Sequence, residues 1–290
     1  MVSIKAIRQR INGVSNTRQI VRAMDMVAAS KLQRIKPQMD GARLMFAESD
    51  KVIEELRNCH KAKTNKYIAF REVKHAAYII ISGDRGLCGS YNANVSRFAL
   101  SCIDASANAK NARIIAIGLQ GQEFFQHRGR RVIRGYRDVS DTIIYEDIEK
   151  ISHFVVDLYR NGDVDEVNII YTKFKTALEH VPVRERILPL GTNPDNPLWY
   201  DTMNYEPDLD AFIEFAVTFY ATNLIYSAVT ESAACEQTAR MTSMSAAQSS
   251  AKEIIEKLTR EYNSRRQSMV TQELNEIVSG AKALRKRGAK

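Results

Sequence analysis

The sequence predicts an α/β plus long-α protein: two long terminal helices that form an antiparallel coiled coil, with a central Rossmann-like α/β domain. Three observations predict it. Residues 208–279 contain neither glycine nor proline and are rich in strong helix formers. The first 58 residues carry an apolar seam at 3,4 spacing, the signature of helix pairing. Between them, short apolar β-type runs alternate with helical patterns, as in a largely parallel sheet.

The first helix is expected over about 3–58, inside a domain segment 1–60. Its seam is Ile4, Ile7, Ile11, Val14, Val21, Ala28 and Leu32, with Arg18 and Asp25 at the seam positions in between. Pro37 and Gly41 are expected to kink or interrupt it. The central domain spans 74–206, with strands at Ala76–Ile81, Arg113–Ile117, Val167–Tyr171 and Val183–Leu190 and helices at 90–108 and 143–160. Residues 191–207 hold three of the six prolines and are read as a loop. The last helix occupies 207–286, with a stripe of Phe212, Phe215, Phe219, Thr222, Ile225 and Val229, followed by Ile254, Ile255, Leu258 and Tyr262. A helix of 72 residues at 1.5 Å rise is roughly 100 Å long, too long for one compact domain to cover.

Composition narrows the function. Net charge is +8, and 44% of residues are hydrophobic. The excess is concentrated: within residues 1–36 eight basic side chains stand against Asp25 alone. One-sided charge of this kind favours an acidic partner. A nucleic-acid surface would interleave aromatic residues for stacking, and residues 1–36 contain none. No apolar run approaches the roughly 20 residues of a membrane helix, so direct membrane insertion is not expected. The start, MVSIKAIRQR, lacks the apolar core of a secretory signal.

Enzyme-like strings are sparse. Gly83-Asp84-Arg85-Gly86-Leu87-Cys88-Gly89 is a glycine-rich turn between a strand and a helix, where backbone amides can cradle phosphate. It matches neither the dinucleotide fingerprint nor the P-loop, and a tight structural turn is the preferred reading. A nucleotide-binding enzyme built on it is the alternative. Cys88 is read as a packed residue, although a thiol at a helix start can be activated. Asp163, Asp165 and Glu166 are read as a turn rather than a cation site. The histidines and the four cysteines show no metal-ligand spacing. No catalytic residue, cofactor site or metal site is assigned.

Several strings resemble the gamma subunits of rotary F-type ATP synthases. Asn16 to Ile20 (NTRQI) and Ala23 to Leu32 (AMDMVAASKL) are similar to the family's amino-terminal signature, and DRGLCG with Asn92 to its second. Glu236 to Met241 (EQTARM) with Met244, and Tyr262 to Ala281, resemble its carboxy-terminal signature. Cys235 stands where many relatives have serine.

The resemblance implies a non-catalytic rotor shaft in which the terminal helices penetrate a hexamer of alpha and beta subunits. It also implies that the α/β domain forms a foot near the membrane rotor ring of c subunits and the epsilon subunit, with one copy per complex. Met24 matches the position that faces an acidic loop of beta, with Arg10, Arg18 and Arg22 around it. Arg240 and Gln272 match residues that catch the open beta subunit, and Tyr205 and Glu206 match the foot. The expected location is peripheral, on the cytoplasmic face of a bacterial membrane.

Overall fold

The computed structural model describes residues 3–287 apart from 107, 177–178, 192–204 and 207, and side chains through residue 281. Its elements are α1 (Ile4–Asn58), β1 (Ala76–Ile81), α2 (Tyr91–Asp104), a 3₁₀ turn (Ala109–Asn111), β2 (Arg113–Ile117), α3 (Leu119–Gln126), β3 (Val132–Tyr136), α4 (Val139–Thr142), α5 (Tyr145–Arg160), β4 (Glu166–Phe174), β5 (His180–Leu188) and α6 (Leu209–Arg287). The predicted α1, β1 and β2 are found at nearly the same bounds. Strand β3 and helices α3 and α4 went unread, because VIRGY and LQGQEFFQ are short and carry glycine. Most of the expected 191–207 loop lies outside the described residues.

The chain divides into two compact units, residues 1–27 with 242–290 and residues 28–241. In the larger unit five strands form one sheet in the order β3-β2-β1-β4-β5. Three pairings are parallel, and β4–β5 is antiparallel. The expectation of a largely parallel sheet therefore holds for the first four strands; the nine-residue β5 turns straight back beside β4.

Every residue of β1 is buried, and successive side chains enter opposite layers. Ala77, Ile79 and Ile81 pack with Ile148, Ile151 and Val155 of α5 and with apolar residues of α1 and α6. Ala76, Tyr78 and Ile80 pack with Val95, Ala99 and Ile103 of α2 and Phe125 of α3. A strand covered on both faces reads as a continuous apolar run, which is why AAYIII shows no alternation.

Helix α1 is not interrupted. Pro37 lies inside it, and Pro37 and Gly41 both face outward. The amide lost at proline falls on the solvent side, where a long helix tolerates distortion. On the inward side the 3,4 seam continues as Ala28, Leu32, Ile35, Met39, Ala42, Phe46, Ser49, Ile53 and Leu56, each buried or half-buried.

The stripe predicted for the start of α6 is half wrong. Thr222, Ile225 and Val229 are buried, but Phe215 and Phe219 are exposed and stack on each other at 5.9 Å. The core instead takes Ile213, Ala216, Val217, Tyr220 and Ala221. Asp208 caps the helix, accepting from the Ala211 amide at 2.9 Å. Contrary to expectation, α6 does contain an 18-residue window as apolar as a membrane span; two thirds of that window is buried against the rest of the fold.

In the smaller unit Ile7 is buried and Ile4, Ile11, Val14 and Val21 are half-buried, while Arg18 is exposed. The facing seam of α6 is Met244, Gln248, Ala251, Ile255, Leu258 and Tyr262, all buried or half-buried, with Ile254 pointing out. Gln248 donates to Asp25 at 3.3 Å, so the polar seam position is matched by a polar partner. Arg18 and Arg22 share one groove with Gln248, Ser249 and Lys252. Falling numbers on α1 thus meet rising numbers on α6, the antiparallel arrangement.

Candidate partner-binding surfaces

In a doubly wound sheet, ligands bind beyond the carboxyl ends of the strands where the strand order reverses, and here that place is the turn after β1. The chain fills it with its own helix. A Cβ added to Gly83 would lie 2.8 Å from the Glu236 carboxyl of α6. The Gly83 amide donates to Asn92 Oδ1 at 2.8 Å, and Asn92 Nδ2 donates to the Arg85 carbonyl at 3.1 Å. Asp84 accepts the amides of Leu119 and Asp138 at 3.0 and 2.9 Å. Leu87 and Gly89 take positive φ, which closes the turn on itself. A phosphate here would meet a carboxylate and an amide already engaged, so the structural reading of GDRGLCG stands over the nucleotide one.

Cys88 is buried with Tyr91 and Cys235. Burial first, and then the nearby Glu236 carboxylate, push its thiol above the usual range, the reverse of what an activated nucleophile needs. Asp165 accepts from the amides of Lys74 and His75, each at 3.0 Å, and pairs with Arg71. Asp163 pairs with Arg113, and Glu166 with Arg184. These carboxylates bind protein groups and form no convergent cation cage.

Arg240, expected as a catch for a partner, is engaged inside the fold. It is buried, donates to Gln237 Oε1 at 2.8 Å and to the Gly86 carbonyl at 3.5 Å, and forms an ion pair with Glu236 one turn back. Burial pushes the Glu236 carboxyl up from its ordinary range, and Arg240 pulls it part of the way back. Gln272 is exposed and donates to Glu276 at 3.0 Å. Tyr205 is half-buried with its ring 5.2 Å from that of Phe212, and Glu206 is exposed.

Along α1, Lys5, Arg8, Arg10, Arg18, Arg22 and Lys36 are exposed and Met24 is half-buried. Lys31 pairs with Asp141 at 2.6 Å, and Arg34 donates to the Asp141 carbonyl at 3.3 Å. Two of the eight cations are therefore spent at home. The groove of Arg18, Gln19 and Arg22 with Gln248, Ser249 and Lys252 gathers three cations. Sequence reading missed the α6 half of it, because only pairing reveals which α6 residues stand beside Arg18. It also missed the exposed apolar row Val270, Leu274, Ile277 and Val278, whose helical spacing was legible but whose exposure was not.

Fold and surfaces together define a partner-binding protein: two long helices that present charge and apolar side chains outward, and an α/β domain whose ligand crevice is closed from within. A family model described as "ATP synthase" matches residues 3–284, and the chain belongs to the ATP synthase gamma chain family. It is 36% identical to the ATP synthase gamma chain of Moorella thermoacetica over 285 residues, 98% of this chain and all of that one. The gamma chain of Cupriavidus metallidurans is 35% identical over the same share of both chains. Among solved structures, a chain of the mitochondrial ATP synthase of Euglena gracilis, in an assembly described as OSCP/F1/c-ring, aligns with TM-score 0.69 at 18% identity, over 97% of this chain and 94% of that one. A chain from the central stalk/c-ring structure of the Tetrahymena thermophila enzyme aligns with TM-score 0.64 at 22% identity, over 79% and 99%.

Proposed function

We propose that this chain is the rotor shaft of an F-type ATP synthase, coupling proton-driven rotation of a membrane ring to ATP synthesis or hydrolysis at sites on beta subunits, and that it is itself non-catalytic. The observation that carries the reading is the closed crevice after β1, in a chain that matches the gamma family from end to end. The glycine-rich turn with an enzyme-like sequence is committed to internal packing by Glu236, Asn92 and Asp84, which favours outward helix surface as the working part.

Rotation is the input and site affinity the output, a rigid-body coupling. An exposed apolar row on α6 suits an apolar sleeve formed by an alpha/beta hexamer. The cations Arg10, Arg18 and Arg22, with Met24 among them, suit an acidic loop of beta. Gln272, exposed on α6, is the residue we assign to catching the open beta subunit. Arg240 reaches the same partner only by exchanging Glu236 or Gln237 for it, and its guanidinium fork suits such an exchange between carboxylates. Tyr205 and Glu206 form the foot surface toward the c-subunit ring and epsilon. One copy serves each complex, peripheral to the cytoplasmic face of a bacterial membrane.

Reconstitution tests this reading. The chain, mixed with alpha and beta subunits, enters the hexamer as one copy and activates ATP hydrolysis. Failure to incorporate beside well-folded beta sinks it. Nucleotide binding or hydrolysis by the isolated chain favours the alternative built on the glycine turn.

A further inference from the structure

Strand β4 is longer than its neighbour. Pairing with β1 ends at Ile170, whereas pairing with β5 on the other edge continues to Phe174. The backbone groups of Thr172 and Phe174 that point toward β1's side therefore have no strand to meet, and buried backbone groups must be satisfied. Helix side chains take the place of the missing strand. Ser232 Oγ accepts from the Thr172 amide at 3.3 Å, and Cys235 Sγ donates to the Thr172 carbonyl at 3.5 Å. Glu231 Oε2 accepts from the Phe174 amide at 3.0 Å, and Arg43 of α1 donates to the Phe174 carbonyl at 2.8 Å. The Arg43 and Glu231 side chains then close on each other at 2.9 Å. Glu231 is only 3% exposed.

We infer that this four-bond splice, centred on Arg43 and Glu231, is the joint that fixes the rotational register of α1 and α6 against the sheet, and so carries torque between the α/β domain and the helix pair. Apolar packing between helices and sheet is non-directional. Hydrogen bonds to fixed backbone atoms are directional, and add to that packing a restraint on the angle of each helix. Both oxygens of one carboxylate are used, one for α1 and one for β4, so a single side chain ties three elements together. Arg43 and Glu231 are positioning residues, and the inference rests on the shaft reading above.

The test uses the fully assembled, membrane-reconstituted complex, with ion pumping measured per ATP hydrolysed. Arg43→Met/Glu231→Met removes the pair without stranding a buried charge. Hydrolysis is expected to stay within about twofold of wild type while pumping per ATP falls about threefold or more, since loosening the register removes part of the coupling free energy and leaves the catalytic sites on other chains untouched. Ser232→Ala, which leaves the ion pair intact, gives a smaller fall in the same direction and decides the matter if the double variant does not fold. Amide exchange at Thr172 and Phe174 should accelerate in the matching variants. Unchanged pumping per ATP in assembled variants overturns the joint. Failure of the wild-type chain to assemble or activate hydrolysis overturns the shaft reading instead.

Discussion

From Tyr220 to Thr238 every side chain of α6 but Tyr226 is buried, including Glu231, Glu236 and Gln237; from Arg266 to Ala281 every side chain is exposed, including Val270, Leu274 and Ile277. Both stretches mix Ser, Thr, Glu and Gln with scattered aliphatics, the first with four alanines and the second with one. The first places charges where apolar residues are expected and the second does the reverse. In the first, each buried charge has a partner within the fold: Arg43 for Glu231 and Arg240 for Glu236. An apolar row left in water points outside the chain instead. Polarity along a helix therefore reports what surrounds it only after its neighbours are known.

The largest effect that can break this comparison comes from placing the same carboxylate in both stretches. Val229→Asp buries an unpaired charge at a fully buried position, which costs several kcal/mol out of a domain stability of about 5–15 kcal/mol. It should abolish the cooperative thermal transition followed by circular dichroism. A normal melt would show that the inner stretch is looser than its packing implies.

Next in size is Arg240→Met, which leaves the Glu236 carboxylate without its counter-ion at a cost of about 3–5 kcal/mol at neutral pH. The Glu236 carboxyl already titrates above its ordinary range, and this change raises it further. An acid whose folded value lies above its unfolded one contributes stability below the ordinary carboxylate range, and that stability is lost as pH rises through the folded value. The deficit of Arg240→Met should thus shrink toward acid pH, and Arg240→Met/Glu236→Gln should lack the trend. Denaturant melts at several pH values check this; a deficit that grows toward acid pH contradicts it.

Leu274→Asp should change the stability of the isolated chain by no more than about 0.5 kcal/mol, yet sharply reduce activation of hydrolysis in the reconstituted hexamer. If activation is unaffected, the exposed row is not a partner surface. The smallest stability effect belongs to Gln272→Ala, which removes one exposed i,i+4 contact worth about 0.3 kcal/mol. Coupled turnover in the assembled complex should still fall. If it does not, Gln272 has no role as a catch.

Arg240→Ala cannot serve as an equally clean test of the catch, because in this fold the residue is also an internal counter-ion. From sequence, EQTARM resembled part of a family signature in which Arg240 faces a partner. The Glu236–Arg240 spacing was legible as a helical i,i+4 pair, but not its burial under Gly83 and Gly86, which lie some 150 residues earlier in the chain.

The sequence by itself determined the two long helices: residues 208–279, without glycine or proline, offer the backbone of α6 no break, and the 3,4 seam marks α1 and sets which of its sides turns inward despite Pro37 and Gly41. It also determined β1 and β2, whose isoleucine-rich apolar runs suit a strand covered on both faces, and the concentration of positive charge on α1. Tertiary structure alone decided that Phe215 and Phe219 face out while Ile213 and Val217 face in, since a helix apolar on several sides has more than one plausible stripe. It alone decided that Glu231, Ser232 and Cys235 complete a strand edge and that Glu236 closes the crevice after β1. Those outcomes depend on contacts between residues 57 to 188 positions apart, and local periodicity holds no information about which distant backbone group a polar side chain will meet.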